Sequence, residues 1–145
     1  MTEDGDRIEG KCLCGAVTVR VGPRRRNVEA CHCSMCRRWG GSAYVGVQCG
    51  SDVLFVGEEN VVRYRSSEWA ERGFCGRCGS NLFFHYLPKD TYGLLAGLFP
   101  DDALLPLSEE IFIDEKPDYY AFAGDAEKMT SAEVMAKFGV GQEDG

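Results

Sequence analysis

The chain has 145 residues, of which 44% are hydrophobic and 27% charged, with a formal net charge of −7. That length suits one domain with a real core, and the composition excludes disordered and fibrous classes. The acidic balance argues against a general nucleic-acid binder, and no stretch approaches the ~20 apolar residues of a membrane span.

In chain order, residues 1–9 are polar and expected to fray, and they lack the basic and apolar regions of a secretory signal. A reducing, cytoplasmic setting is the corresponding expectation. A single domain is expected over 10–139. Within it, β-branched and aromatic runs predict strands at 16–21, 43–47, 53–56, 61–64, 82–86, 92–99 and 111–113. The 18 glycines fit the many tight turns that such short strands require. A short helix is expected from Cys36 through Trp39. The one longer helix is C-terminal: Thr130-Ser131-Ala132-Glu133 is a capping box, Val134, Met135 and Phe138 form an apolar stripe, and Gly139 ends it. Residues 140–145 are expected to fray. The fold class is therefore mainly β, with a C-terminal helix that packs on the sheet and does no chemistry.

Seven of the eight cysteines fall in three clusters: Cys12-Leu13-Cys14, Cys31-His32-Cys33-Ser34-Met35-Cys36 and Cys75-Gly76-Arg77-Cys78. Thiols one or two residues apart can aim several sulfurs at one point, the geometry a soft metal ion needs. Disulfides are disfavoured, because two cysteines separated by one residue meet the Cα spacing of a disulfide poorly. Seven thiolates divide as four plus three. Four fill the tetrahedral shell of a structural zinc, and three leave a position open for substrate or water. Gly15 and Gly79 follow Cys14 and Cys78 and permit turns that point N–H groups at sulfur, whereas Cys36 is followed by Arg37. This favours Cys12, Cys14, Cys75 and Cys78 as the closed site and Cys31, Cys33 and Cys36 as the open, catalytic one, although Cys49 and Cys75 also precede glycine.

The remaining candidates are less specific. Arg37-Arg38 adjoin the three-cysteine cluster and can offset its charge or hold the carboxylates of an anionic ligand. Arg24-Arg25-Arg26 read as a solvated turn. His32, between two ligands on an extended backbone, points away from the metal and is a minor candidate for a proton shuttle. His85 reads as a hydrogen-bonded strand residue, and Cys49 as a small buried hydrophobe that binds no metal. Trp39, Tyr44 and Trp69 are core aromatics or pocket walls.

The stretches Gly10-Lys11-Cys12-Leu13-Cys14-Gly15-Ala16-Val17, Cys31-His32-Cys33-Ser34-Met35-Cys36-Arg37-Arg38 and Gly73-Phe74-Cys75-Gly76-Arg77-Cys78-Gly79-Ser80-Asn81-Leu82 resemble the glutathione-dependent formaldehyde-activating enzyme family, which takes in the zinc domain of centromere protein V. The resemblance covers roughly residues 10–125. It implies a complex fold of several antiparallel sheets, shared with the methionine-R-sulfoxide reductases and the translationally controlled tumour protein. It also implies the same partition, with a structural zinc on the first and third motifs and a labile catalytic zinc on the second. The implied activity is that of a carbon–sulfur lyase joining glutathione and formaldehyde as S-hydroxymethylglutathione. One departure stands out. Where many members carry a His-Ile pair and a tryptophan, this chain has Glu110-Ile111-Phe112-Ile113 with Tyr119 and Tyr120, a change expected to leave the metal sites untouched and to bear on the substrate.

The chemistry follows from the thiols as well. A free thiol with a pKa of about 8.5 is only a few per cent ionised at neutral pH, and coordination to zinc deprotonates it. A three-thiolate site can present an external thiol to a small electrophile such as an aldehyde. The alternative is a non-catalytic zinc module whose metal sites hold the fold or bind a partner, recognisable by a fourth protein ligand at the second site. Methionine sulfoxide reduction would need a redox cysteine outside the metal sites, and only Cys49 is there to serve. A small-molecule thiol is the expected partner, with no nucleic acid or membrane; the oligomeric state is left open.

Overall fold

The computed structural model describes residues 7–23 and 25–138. The expectations for 1–6 and 139–145, for Arg24 and for the side chain of Phe138 lie outside the described residues. Among those described, the strands are β1 (Ile8–Lys11), β2 (Thr18–Val21), β3 (Asn27–Cys31), β4 (Tyr44–Gly50), β5 (Val53–Val56), β6 (Val61–Arg65), β7 (Ala70–Cys75), β8 (Asn81–Tyr86), β9 (Thr91–Leu95), β10 (Leu105–Ile111) and β11 (Glu127–Met129). Helix α1 (Ser34–Gly40) lies between β3 and β4, and α2 (Ser131–Phe138) follows β11.

The strands form two sheets: a three-stranded one in the order β1-β2-β5, and an eight-stranded one in the order β11-β10-β3-β4-β9-β8-β7-β6. The mainly β class with a C-terminal helix is the expected one. Most pairs are antiparallel, but β10 runs parallel to both β3 and β11. A parallel partner must arrive by a crossover rather than a tight hairpin, and here residues 96–104 carry the chain from β9 through two 3-10 turns to β10.

The main core brings the two sheets together. Val19 and Val21 alternate with the half-buried Thr18 and Arg20 along β2, so one face of that strand is apolar. That face joins Ile8 and Val17, and packs in one cluster with Val47, Leu82, Phe83, Leu94 and Phe99 of the larger sheet and its following turn. A smaller second cluster gathers Cys31, Cys33, Cys36, Phe112, Met129 and Val134. Val134 is the residue by which α2 docks there, and the expected capping box is formed: Glu133 N–H donates to Thr130 Oγ1 at 3.2 Å, and Thr130 N–H to Glu133 Oε1 at 2.8 Å.

Several boundaries differ from expectation for physical reasons. Ile8 and Glu9, expected in a frayed N-terminus, belong to β1: Ile8 is buried opposite Val21, and Arg7 pairs with Asp52 at 2.6 Å. The strand expected over 92–99 ends at Leu95, where residues 96–98 turn into a 3-10 segment. The strand expected at 111–113 ends at Ile111, because Phe112 takes the left-handed conformation (φ 57°) and its ring is buried in the second cluster. Strands β3, β7 and β11, and all of β10 but Ile111, lie outside the expected runs; β7, which does not alternate cleanly, buries Ala70, Arg72, Gly73 and Cys75. The short helix α1 begins before Cys36, with Cys33 as its N-cap, and closes on Gly41 at φ 89°.

Candidate metal centre

Two cysteine groups form, and they are the two that the sequence motifs suggest. The sulfurs of Cys12, Cys14, Cys75 and Cys78 lie within 4.8 Å of one another, as do those of Cys31, Cys33 and Cys36. The first group is built from two matching turns. After β1, Gly15 at φ 82° closes a turn in which its N–H reaches Cys12 O at 3.1 Å. After β7, Gly79 at φ 81° does the same to Cys75 O at 2.8 Å. Only glycine takes this conformation without cost, and its place after Cys14 and Cys78 is the signal legible in the sequence. Each turn aims N–H groups at sulfur: Val17 donates to Cys12 Sγ at 3.3 Å, and Arg77 and Cys78 donate to Cys75 Sγ at 3.3 and 3.4 Å. Cys12 and Cys14 belong to the turn between β1 and β2, Cys75 ends β7, and Cys78 lies in the turn that leads to β8. The group therefore fastens the two sheets to each other.

The donor set fits a soft cation. Cys12 Sγ and Cys14 Sγ are 3.8 Å apart, and Cys14 Sγ and Cys75 Sγ 3.9 Å. A tetrahedron with metal–sulfur bonds of about 2.3 Å has an edge of about 3.8 Å. The ionisation pattern agrees. The Ser80 hydroxyl, 3.2 Å from Cys78 Sγ, helps pull that thiol down to about 5. Cys14, despite a backbone hydrogen bond from Ala16, is pushed up to about 11 by desolvation and its sulfur neighbours. Sulfurs this close cannot all carry negative charge unless a cation sits among them.

The second group is more buried and shorter in sequence. Cys31 ends β3, Cys33 caps α1 and Cys36 lies in its first turn, so one strand-to-helix junction supplies all three sulfurs. Cys36 N–H donates to Cys33 Sγ at 3.4 Å. Hydrogen bonds from Cys31 and Cys36 pull Cys33 down to about 2, and sharing those sulfurs drives Cys31 well above the ordinary thiol range. Among the described residues this group stops at three ligands.

His32, between two of the cysteines, is fully buried and turned to other partners: Nε2 is 2.8 Å from Glu110 Oε1 and Nδ1 is 2.6 Å from the Tyr120 hydroxyl. It is not part of the sulfur group, as the alternation of an extended backbone suggests. The departing segment at 110–120 supplies no ligand to either sulfur group, but it lies against the triad. Glu110 and Tyr120 clasp His32, and Phe112 packs on the sulfurs; β10 runs beside β3, so residues far apart in sequence meet there. Arg37 ties its Nε to His32 O at 2.9 Å, whereas Arg38 is exposed. His85 is a strand residue held by Glu71 and Asp90, both at 2.8 Å, and stacked on Tyr92 at 3.9 Å. Cys49 is buried in the main core, its thiol pushed up to about 12 by desolvation.

One residue at the triad escaped the sequence reading. Arg72 of β7 is buried, with Nη1 3.6 Å from Cys36 Sγ. Its only sequence signal is a charged pair, Glu71-Arg72, inside a strand that ends on Cys75. Among the described residues, no helix is long and apolar enough to cross a membrane.

Comparison with known proteins agrees with this arrangement. The profile of a family described as "Glutathione-dependent formaldehyde-activating enzyme" matches residues 7–115. An uncharacterized lyase of Schizosaccharomyces pombe is 37% identical over 128 residues, 88% of this chain and 93% of that protein. A Halomonas elongata protein, provisionally named as a glutathione-dependent formaldehyde-activating enzyme, is 32% identical over 123 residues, 77% of this chain and 78% of its own length. A crystal structure of a Rhodobacter sphaeroides protein superposes with a TM-score of 0.57 at 28% identity, covering 70% of this chain and all of the other.

Proposed function

The chain belongs to the glutathione-dependent formaldehyde-activating enzyme family, and from that premise we propose that it is a zinc-dependent carbon–sulfur lyase acting on glutathione, or a related thiol, and a small electrophile such as formaldehyde. The observation that carries this reading is the inequality of the two sulfur groups, one of four and one of three. Cys12, Cys14, Cys75 and Cys78 would hold a structural zinc, and Cys31, Cys33 and Cys36 a second, labile one. An ion bound by three thiolates supplies a soft Lewis acid with a place for one more sulfur.

The chain's own residues prepare that place. The Cys36 N–H and Arg72 Nη1 donate to triad sulfurs and fix their directions. Phe112, Met129 and Val134 pack around them, keeping water out and strengthening electrostatic attraction inside. Arg37, anchored through Nε to His32 O, leaves its Nη groups as candidates for a carboxylate of the incoming thiol. In the addition, a C–S bond forms at the carbonyl carbon, the C=O double bond becomes single, and the thiol proton ends on the new hydroxyl oxygen. No oxidant or reductant is consumed. Positioning of the two reactants is the main contribution asked of the protein. A reducing cytoplasm suits eight free cysteines.

Isothermal titration of zinc-loaded protein with glutathione, against S-methylglutathione, tests the reading. Glutathione is expected to bind and the capped form to bind far more weakly, because its sulfur cannot ionise. Equal binding of both removes the thiolate mechanism. The burial of all three triad sulfurs favours a second reading, a non-catalytic zinc module, and absence of binding by either compound would select it.

A further inference from the structure

Arg72 is only 2% exposed, yet no carboxylate pairs with it among the described residues. A buried, uncompensated charge is strongly unfavourable, so its position calls for an anion. Its guanidinium lies against two rings, Trp39 at 4.9 Å and Phe84 at 5.0 Å. Nη1 points to Cys36 Sγ, and Nη2 is buried without a hydrogen-bond partner. Trp39 and Cys36 share α1 three residues apart, hence one face of that helix, while Phe84 stands directly opposite Arg72 in the β7–β8 register. One side chain of the sheet therefore grips both the helix that carries Cys36 and the sulfur itself.

Charge makes the same case. Three thiolates around a divalent ion sum to one negative charge, and one guanidinium cancels it. Of the neighbouring arginines, Arg38 faces solvent and Arg37 is half-buried with its Nε on the His32 carbonyl, whereas Arg72 is the one whose guanidinium reaches a triad sulfur among the described residues. We propose that Arg72 is a positioning residue of the Cys31–Cys33–Cys36 group, donating to Cys36 Sγ and supplying the buried positive charge that lets the group retain its metal. The proposal rests on the reading that this triad holds a soft metal ion.

The test is zinc release from the loaded protein to a chromogenic chelator, with the four-cysteine group as internal standard. Wild type is expected to bind two equivalents and to release them in two phases, the triad first. Arg72→Met is expected to speed the first phase by about 10–100-fold, the usual effect of removing a partner of a metal ligand, and to leave the second phase unchanged. Arg72→Lys keeps the charge without the planar fork and should fall between. An unchanged first phase in Arg72→Met overturns the proposal. Equal acceleration of both phases also overturns it, since that marks a general loss of structure. If the Met variant does not fold, Arg72→Lys decides alone: a faster first phase with an unchanged second supports the role, and wild-type release refutes it. Wild type that binds a single equivalent sinks the metal-site reading itself, and is seen before any variant is made.

Discussion

At the scale of the residue, the eight cysteines share one chemistry and differ by neighbourhood. Cys33 accepts hydrogen bonds from two thiols and one backbone N–H, so its anion is stabilised. Cys49 has desolvation as its dominant influence and is pushed up to about 12. A thiol shifted that far is ionised to the order of 1 part in 100,000 at neutral pH, and the thiolate is the reactive form. Alkylation of the folded, metal-loaded protein should therefore leave Cys49 unmodified at neutral pH, with labelling appearing only as the pH climbs toward that value or the chain unfolds. Peptide mass mapping after brief treatment with iodoacetamide reads this out, and rapid labelling of Cys49 in the native state would contradict its burial.

At the scale of the element, β7 shows how a strand with a poor hydrophobic pattern is still determined. It is held on both sides, by β6 and by β8. Its burial follows what it must accommodate: Gly73 is small where a ring comes close, Arg72 reaches Cys36 Sγ, and Cys75 joins the four-cysteine group. The Phe83 ring lies on Gly73, where an added Cβ would come within 2.2 Å of ring atoms. That ring cannot easily retreat, because Phe55 and Tyr92 pack against it at centroid distances of 5.4 and 5.1 Å. Gly73→Ala is expected to destabilise the fold by about 1–3 kcal/mol, the usual cost of overpacking a tight core. Urea denaturation measures it, and a variant as stable as wild type would show that the ring has room to move.

At the scale of the whole molecule, the two sulfur groups have different mechanical duties. The four-cysteine group links a turn of the three-stranded sheet to a turn of the eight-stranded one, across about sixty residues of chain. The triad sits on one strand and its following helix. A structural zinc held there would supply on the order of 10 kcal/mol of folding free energy, and that contribution would fall on the joint between the sheets. Cys75→Ala is accordingly expected to unfold or aggregate, while Cys33→Ala should keep its circular dichroism spectrum and bind one zinc equivalent. Equal loss of structure in both variants would overturn the division of roles.

The sequence by itself determined whatever is local in the chain. The cysteine spacings, the glycines after Cys14 and Cys78, the capping box at Thr130 and the β-branched runs of β2, β5 and β6 each express a conformation set within a few residues, so each was legible. The four-plus-three grouping was favoured by the glycines after Cys14 and Cys78 and implied by the family resemblance, and the sulfurs do gather in those two groups. What only the tertiary structure decided is what lies between distant segments. The parallel arrival of β10 beside β3 brings Glu110, Phe112 and Tyr120 onto the triad, and the register of β7 with β8 sends Arg72 to Cys36. Neither leaves a periodic trace, because the burial of a charged side chain depends on the anion it meets there and not on its neighbours in sequence.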